Sequence, residues 1–301
     1  MNDVHCHFFS SSFYRALALE LPEIDLPDLS GDGAIDVPAL LGWDAPGDDG
    51  ALADRWVAEW DRHRVERGVL IASTPGDESA VATAIGRHPT RVVGAFMLNP
   101  ATPDLEQRLD NAFANLGLRM VCLFPAMHGV PLSDARVDLV FAAAQAHRCA
   151  VFVHCGLLML GVRGKLGLPS RFDLQLGDPL AVATVAARYP DVPVVIPHFG
   201  AGLFREAMMA ASIAPNIYLD TSSTNRWIQF QPGLTLRDVL ATAIDTVGSS
   251  RILFGSDSSF FPRGWHATIY ESQLALLEDL GVEAADRQRM FSGNFSQVFQ
   301  L

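Results

Sequence analysis

The chain has 301 residues, of which 49% are hydrophobic and 19% are charged. This composition excludes a disordered protein and is sufficient for a large hydrophobic core. The formal net charge is −12. An acidic surface repels phosphate groups, which argues against nucleic acids and anionic membranes as partners.

The cysteines and the N-terminal residues indicate the compartment. The four cysteines show no CxxC spacing, and no apolar segment of the signal-peptide type follows the first residues, so we expect a reduced, cytoplasmic protein. No segment approaches the ~18 apolar residues that are needed to span a bilayer. The expected partner is a small-molecule substrate, and the sequence leaves homo-oligomerisation open.

Eight short apolar segments alternate with longer segments of helical periodicity along the whole chain. The predicted strands are residues 3–8, 68–73, 92–98, 118–124, 150–154, 193–198, 216–220 and 251–257. Several of them are continuously hydrophobic, which is typical of parallel strands that are buried on both faces.

The segments between these strands carry apolar residues at helical spacing. The segment from Val137 to Ala144 follows the i, i+3, i+4, i+7 pattern, and Ser133 is its predicted N-cap. Alternating strands and helices predict a parallel sheet. Eight such units favour a (β/α)8 TIM barrel that forms one domain over residues 1–301. No GxGxxG motif follows an early strand, which argues against a doubly wound open sheet.

Two segments do not fit the repeat, residues 21–50 and residues 157–177. Each follows a predicted strand, and the connections that follow barrel strands line the C-terminal mouth, where TIM-barrel active sites lie. Both are therefore predicted loop insertions at the mouth. For residues 21–50, a peripheral insertion or an oligomer contact is an equally good interpretation.

Polar side chains occur at the same end of four predicted strands. His5 and His7 are two residues apart, so that both imidazoles point to one face of the first strand. His154, His198 and Asp257 each close an apolar strand. Because the C-terminal ends of all barrel strands lie on one face, we expect these five residues to converge.

A shared cation would remove the cost of burying unpaired imidazoles and a carboxylate together. Histidine nitrogen and carboxylate oxygen are ligands that zinc prefers. We therefore predict one divalent metal ion, with zinc favoured, bound by His5, His7, His154 and Asp257. Taken singly, each of the later residues would be interpreted as a core histidine or a turn aspartate, so the prediction depends on the whole set.

The other candidate ligands are weaker. His63, His88 and His147 fall late in predicted helices, where a partly charged imidazole suits the helix dipole. His128 and His266 follow strands, but we assign neither a ligand role. The fourth predicted strand contains no lysine, which removes the usual bridging side chain of a two-metal site and favours a single ion.

The order of these motifs resembles that of the amidohydrolase superfamily. The matching motifs are His-x-His on the first strand, His on the fifth, His-x-Gly on the sixth and Gly-Ser-Asp on the eighth. Within the superfamily, the chain is most similar to the amidohydrolase 2 branch, which is related to aminocarboxymuconate-semialdehyde decarboxylase. The resemblance covers nearly the whole chain and implies the same four metal ligands, with His198 as the catalytic histidine.

The branch includes hydrolases, lactonases, a hydratase and nonoxidative decarboxylases. Its decarboxylases commonly continue after the strand 8 aspartate with Tyr-Pro-Phe or a near variant, whereas this chain continues with Ser258-Ser259-Phe260. We therefore expect hydrolysis of a carboxylate-bearing ester, lactone or amide by a metal-activated water. Nonoxidative decarboxylation of a small aromatic or unsaturated acid, and a non-catalytic metabolite-binding barrel, remain as alternatives.

Roles follow from this expectation. Asp257 would hold the attacking water and carry its proton to the leaving group, and His198 would act as a general base or stabilise the oxyanion. Arginines that follow barrel strands could bind a substrate carboxylate in a bidentate manner. They are Arg163, Arg171, Arg226 and Arg263.

Overall fold

The computed structural model describes residues 1–21, 35–222 and 226–301, and for Arg226 it describes the backbone alone. All eight predicted strands are present. They are β1 (Asn2–Phe8), β2 (Arg67–Ala72), β3 (Val92–Met97), β4 (Met120–Leu123), β5 (Ala150–Val153), β6 (Val194–Ile196), β7 (Ile217–Asp220) and β8 (Ile252–Leu253). Each strand is parallel to its neighbours, and their order in the sheet is their order in the chain.

The sheet closes on itself between β1 and the chain that continues from β8. The backbone amide of Val4 donates to the carbonyl of Phe254 at 2.9 Å, and that of His7 donates to the carbonyl of Ser258 at 2.7 Å. In the opposite direction, the amide of Asp257 donates to the carbonyl of His5 at 2.9 Å. These hydrogen bonds complete a (β/α)8 TIM barrel and confirm the predicted fold class.

Helices connect successive strands, and their bounds are as follows. In the described part of the chain they are α1 (Ser11–Ala18), α2 (Val37–Leu41), α3 (Asp49–His63), α4 (Glu78–Arg87), α5 (Leu105–Asp110), α6 (Pro125–His128), α7 (Ala135–His147), α8 (Gly161–Lys165), α9 (Pro179–Ala186), α10 (Phe204–Ile213), α11 (Leu236–Val247), α12 (Ala267–Asp279), α13 (Ala284–Gln288) and α14 (Asn294–Phe299). None of these is long and apolar enough to cross a membrane.

Apolar side chains form two layers, one inside the barrel and one between the sheet and the helices. Ile71 and Phe152 belong to the inner layer, whereas Trp56 and Phe141 belong to the outer layer. Phe295 of α14 packs with the inner layer, and Asn294 donates to the carbonyl of Ile252 at the start of β8. Helix α14 therefore covers the N-terminal end of the barrel and leaves the C-terminal end for a site.

Some local predictions were wrong or lie outside the described residues. The N-cap of α7 is Asp134 rather than Ser133, because the Asp134 carboxylate accepts from the amide of Arg136 at 2.9 Å. The segment 157–177, predicted as a loop, contains the short helix α8. Within the segment 21–50, residues 22–34 lie outside the described part of the chain.

Candidate metal centre

The C-terminal half of β1 presents two histidines to the barrel interior. The pairing of β1 with β2 is irregular between Asp3 and Cys6. The ring of His5 packs edge-on against the interior Phe152, while Cys6 lies in the outer apolar layer. His5 and His7 therefore share one face, as the period of two predicts.

Three ligand atoms converge on one point beside these histidines. The Nε2 atoms of His5 and His7 are 3.3 Å apart, and Oδ1 of Asp257 lies 3.2 Å from Nε2 of His7 and 3.7 Å from Nε2 of His5. Tetrahedral ligands about 2.0–2.2 Å from a zinc ion are separated by about 3.3–3.6 Å. The spacing of the three atoms therefore fits a divalent ion.

The ring of His5 is oriented by a buried carboxylate. Its Nδ1 lies 2.7 Å from Oδ2 of Asp220, and the other carboxylate oxygen of Asp220 accepts from the backbone amide of Ser222 at 2.6 Å. A Cβ at Gly255 would lie only 2.5 Å from Oδ1 of Asp220 and 2.9 Å from Cβ of His5. Glycine is therefore required in the Gly-Ser-Asp motif to leave room for this pair.

The ring of His7 is held by a hydroxyl group. Its Nδ1 lies 2.8 Å from Oγ of Ser73, and that hydroxyl has a separate acceptor in the carbonyl of Ile71 at 2.9 Å. In both histidines, therefore, Nδ1 faces a protein oxygen and Nε2 faces the point of convergence.

His198 and His154 lie next to this group without belonging to the convergent triplet. The ring centroid of His198 is 5.1 Å from that of His5 and 5.3 Å from that of His154. Oγ of Ser222 lies 2.9 Å from Nδ1 of both His5 and His198. The structure thus brings the predicted site residues together at one barrel end, with His5, His7 and Asp257 in ligand geometry.

The backbone is strained where the site residues emerge from their strands. His198 and Phe199 have φ values of 55° and 52°, and Asp257 has a φ of 57°. For residues other than glycine, this left-handed region costs of order 1–3 kcal/mol and is concentrated at functional sites. The positive φ values thus occur at two of the predicted site residues, His198 and Asp257.

Burial and charge set the protonation of the site. Burial lowers the pKa of His5, but the carboxylates of Asp220, Asp257 and Asp3 together outweigh that effect, and the net pKa of His5 is raised. Burial lowers the pKa values of His7 and His198, so both imidazoles are neutral at neutral pH. For Asp257, burial raises the pKa, but the neighbouring histidines outweigh it and hold the pKa well below its usual range.

The predicted substrate-binding arginines differ in their surroundings. Both terminal nitrogens of Arg163 are engaged by the Glu20 carboxylate at 2.7 and 2.8 Å. In Arg263, Nη2 donates to the carbonyl of Asp257 at 3.2 Å and to Oγ of Ser259 at 3.0 Å. The other N–H groups of Arg263 meet no acceptor among the described residues. The side chain of Arg226 lies outside the described part, and that of Arg171 is exposed.

Aromatic residues border the mouth beside Asp257. The rings of Trp43 and Phe260 stack at 3.8 Å, and the guanidinium carbon of Arg263 lies 4.5 Å above the Phe260 ring. Phe9 lies 5.7 Å from the His7 ring. The described part of the segment 21–50 therefore contributes Trp43 to the wall of the mouth.

The sequence interpretation missed three residues that contact the site histidines: Asp220, Ser222 and Ser73. Asp220 carries the same signal as Asp257, because it is a polar residue that closes an apolar strand. Ser73 and Ser222 carry no such signal, since serine is common after strands.

A family model described as Amidohydrolase (Amidohydro_2) matches residues 3–301. Over 90 residues, 30% of this chain, the sequence is 29% identical to Protein fluG of Emericella nidulans. That match covers 10% of the fungal protein, so the similarity is limited to a small part of it.

Solved structures with the same fold cover the whole chain. The 5-carboxyvanillate decarboxylase LigW of Sphingomonas paucimobilis has a TM-score of 0.67 at 14% identity, over 100% of this chain and 99% of that chain. An amidohydrolase of Burkholderia multivorans with bound zinc has a TM-score of 0.66 at 14% identity, with the same coverage. A probable 2-pyrone-4,6-dicarboxylic acid hydrolase of Acinetobacter baumannii with bound citric acid has a TM-score of 0.61 at 15% identity, also with the same coverage.

Proposed function

We propose, from the premise that the chain belongs to the amidohydrolase family whose model spans residues 3–301, that it is a metal-dependent hydrolase. Its substrate would be a small ester, lactone or amide that bears a carboxylate, and the catalytic unit would be one domain formed by the whole chain. The observation that carries this proposal is the spacing of the His5, His7 and Asp257 ligand atoms at the C-terminal mouth of the barrel.

Zinc is the proposed ion because the ligand set combines imidazole nitrogen and carboxylate oxygen. The zinc in the Burkholderia multivorans amidohydrolase supports this choice. His154 is the proposed fourth ligand, since it directly follows β5 beside His198 and its ring makes no hydrogen bond to any described residue. A bound zinc ion supplies a Lewis acid and lowers the pKa of a water molecule toward ~7.

His198 and Asp257 are the proposed proton-handling residues. A neutral imidazole at neutral pH can accept a proton, which suits His198 for general-base catalysis. The Asp257 side chain is 33% exposed at the mouth, and its low pKa keeps it ionised, so that the carboxylate is available as a ligand and as a hydrogen-bond acceptor for the attacking water. The two side chains are therefore suited to move a proton from the attacking water to the leaving group.

Arg263 is the arginine best suited to bind the substrate carboxylate. Its guanidinium group is anchored beside Asp257 through Nη2, and its other N–H groups meet no acceptor in the part of the chain that the structure describes, whereas Arg163 is paired with Glu20. Bidentate binding of a carboxylate by the remaining N–H groups would fix the substrate next to the proposed ion. Arg163 is a weaker candidate because it is ion-paired with Glu20. Arg226 is a weaker candidate because only its position after β7 supports it.

Nonoxidative decarboxylation is the second candidate. A 5-carboxyvanillate decarboxylase shares the fold over the full chain, and the Trp43–Phe260 wall suits a planar acid. In that reaction, the carboxylate would leave as carbon dioxide, and an acid of the site would protonate the ring carbon. A non-catalytic barrel is the third candidate, from a different class.

Metal analysis and a substrate panel test these candidates together. Protein purified without chelators should contain one zinc ion per chain, and the His7→Ala variant should contain little. A panel of lactones, esters, amides and aromatic acids should then give acid release from ring or ester opening without carbon dioxide. Carbon dioxide release would favour the decarboxylase. Stoichiometric metal without any turnover would favour the non-catalytic barrel.

Two variants test the residue roles once a substrate is found. Asp257→Asn should retain the fold and abolish turnover. His198→Asn keeps a residue that tolerates a left-handed backbone, and it should retain the metal while kcat falls about 10²–10⁴-fold. The matched control is His147→Asn at the end of α7, which should retain full activity. Substantial activity in either site variant would remove that residue from its proposed role.

A further inference from the structure

We infer that Asp220 and Ser73 are positioning residues that select the metal-binding tautomer of His5 and His7. This inference rests on the proposed metal centre and adds two residues to it. An imidazole can bind an ion through Nε2 only if that nitrogen carries no proton. A neutral ring must then carry its single proton on Nδ1, and that proton needs an acceptor in a buried site.

The structure places such an acceptor beside each ring, and for His5 the Asp220 carboxylate is closer than the Ser222 hydroxyl, which lies 2.9 Å from the same nitrogen. Asp220 is fully buried, and its Oδ2 lies 2.7 Å from Nδ1 of His5. The Asp220 carboxylate cannot rotate away, because its Oδ1 already accepts from the amide of Ser222 at 2.6 Å. Oγ of Ser73 lies 2.8 Å from Nδ1 of His7 and donates a hydrogen bond to the carbonyl of Ile71 at 2.9 Å, which leaves an oxygen lone pair to accept from His7.

The two acceptors differ in charge, so their replacement should act differently. In the Asp220→Asn variant, one amide oxygen must serve two N–H donors, and the amide NH2 must face either Ser222 or His5. The His5 ring would then favour the tautomer with its proton on Nε2, directed at the ion. In Ser73→Ala, the acceptor is simply lost, whereas Ser73→Thr retains a hydroxyl group at the same position.

Zinc affinity of the metal-free protein tests this inference without any substrate. We would titrate zinc chloride against a competing chromogenic chelator and record the histidine tautomers by two-bond ¹H–¹⁵N NMR correlation. Asp220→Asn and Ser73→Ala should each bind zinc about 10–100-fold more weakly. Ser73→Thr should lie close to the wild type, and the spectra of the zinc-loaded wild type should show rings of His5 and His7 that are protonated on Nδ1.

Thr221→Val is the matched structural control. Thr221 adjoins Asp220, and its hydroxyl donates to Gln273 at 2.7 Å rather than to a site histidine. This variant should lower thermal stability without changing zinc affinity. Unchanged zinc affinity in a folded Asp220→Asn protein, or equal affinities of the alanine and threonine variants at position 73, would overturn the inference alone. A wild-type protein that binds no zinc would overturn the proposed metal centre and this inference with it.

Discussion

Gly255 lies so close to the residues around His5 that there is no space for a side chain at this position. Its Cα adjoins Asp220, His5 and Ser222, and a methyl group there would meet their atoms at 2.5, 2.9 and 2.9 Å. Overpacking of this kind typically costs 1–3 kcal/mol. Because the displaced atoms belong to the His5–Asp220 pair, we expect Gly255→Ala to lower both the free energy of unfolding and the zinc affinity, as measured by denaturant titration and chelator competition.

Gly86→Ala provides the matched control for that substitution. Gly86 is exposed within α4, and a Cβ there meets nothing within 4 Å. Replacing a helical glycine by alanine stabilises a protein by ≈ 0.4–1 kcal/mol through the unfolded state. Zinc affinity should be the same as in the wild type. If Gly255→Ala behaved like Gly86→Ala, the close approach at Gly255 would have no energetic significance.

At the level of single residues, the site histidines are easier to predict from the sequence than the residues that orient their rings. The His-x-His pair could be located because strand periodicity alone places both rings on one face. Asp220 could have been found by the argument used for Asp257. Ser73 and Ser222 could not, because their role depends on distances between strands that no local pattern encodes.

At the level of elements, the strands were predictable because parallel barrel strands are apolar on both faces. The ends of the strands were less predictable. Residues 251–257 were predicted as one strand, yet β8 comprises only Ile252–Leu253. Beyond it, the chain leaves β7 and continues beside β1, where Ser258 pairs with Cys6. An apolar segment indicates that its residues are buried, and the residues directly after β8 are still buried. It does not indicate where the backbone pairing between strands ends.

His128, the last residue of α6, is a partly buried histidine outside the site that should make stability depend on pH. Burial lowers the pKa of His128 to about 4, and its Nδ1 has no hydrogen-bond partner in the described part of the chain. The unfolded chain has a pKa near 6.5 for histidine. As pH falls from about 6.5 to 4, the unfolded state takes up a proton that the folded state excludes, so stability is lost over that window.

The variant His128→Leu should remove this loss, because leucine does not titrate and the neighbours Leu123, Val130 and Val137 are apolar. Between pH 7 and pH 5, the free energy of unfolding of the wild type should fall by about 1 kcal/mol more than that of the variant. That figure is discounted from the full pKa shift because the side chain is partly exposed. Denaturant titrations of both metal-free proteins at each pH give the difference. A difference that is independent of pH would contradict a buried neutral His128.

At the level of the whole molecule, the proposed metal centre lies where the two ends of the barrel sheet meet. His5 and His7 lie on β1, whereas Asp257 lies just beyond β8, and backbone hydrogen bonds already connect the two segments. A ligand that binds only the folded state stabilises it by RT ln(1 + [L]/Kd), which is about 2.7 kcal/mol at a hundredfold excess over Kd. Zinc binding where β1 meets the chain after β8 should therefore raise the free energy of unfolding of the whole protein.

We expect zinc at that excess to raise the Tm of the metal-free protein by several degrees at pH 7.5, as measured by calorimetry. The shift should shrink as pH falls toward 5, because protons compete with the ion for the imidazole ligands. The His7→Ala variant should show no shift, since it lacks one ligand. Magnesium should have little effect, because it prefers oxygen ligands in octahedral geometry. An equal zinc-induced shift in the wild type and His7→Ala would mean that the ion binds elsewhere, and the centre at the barrel mouth would be refuted.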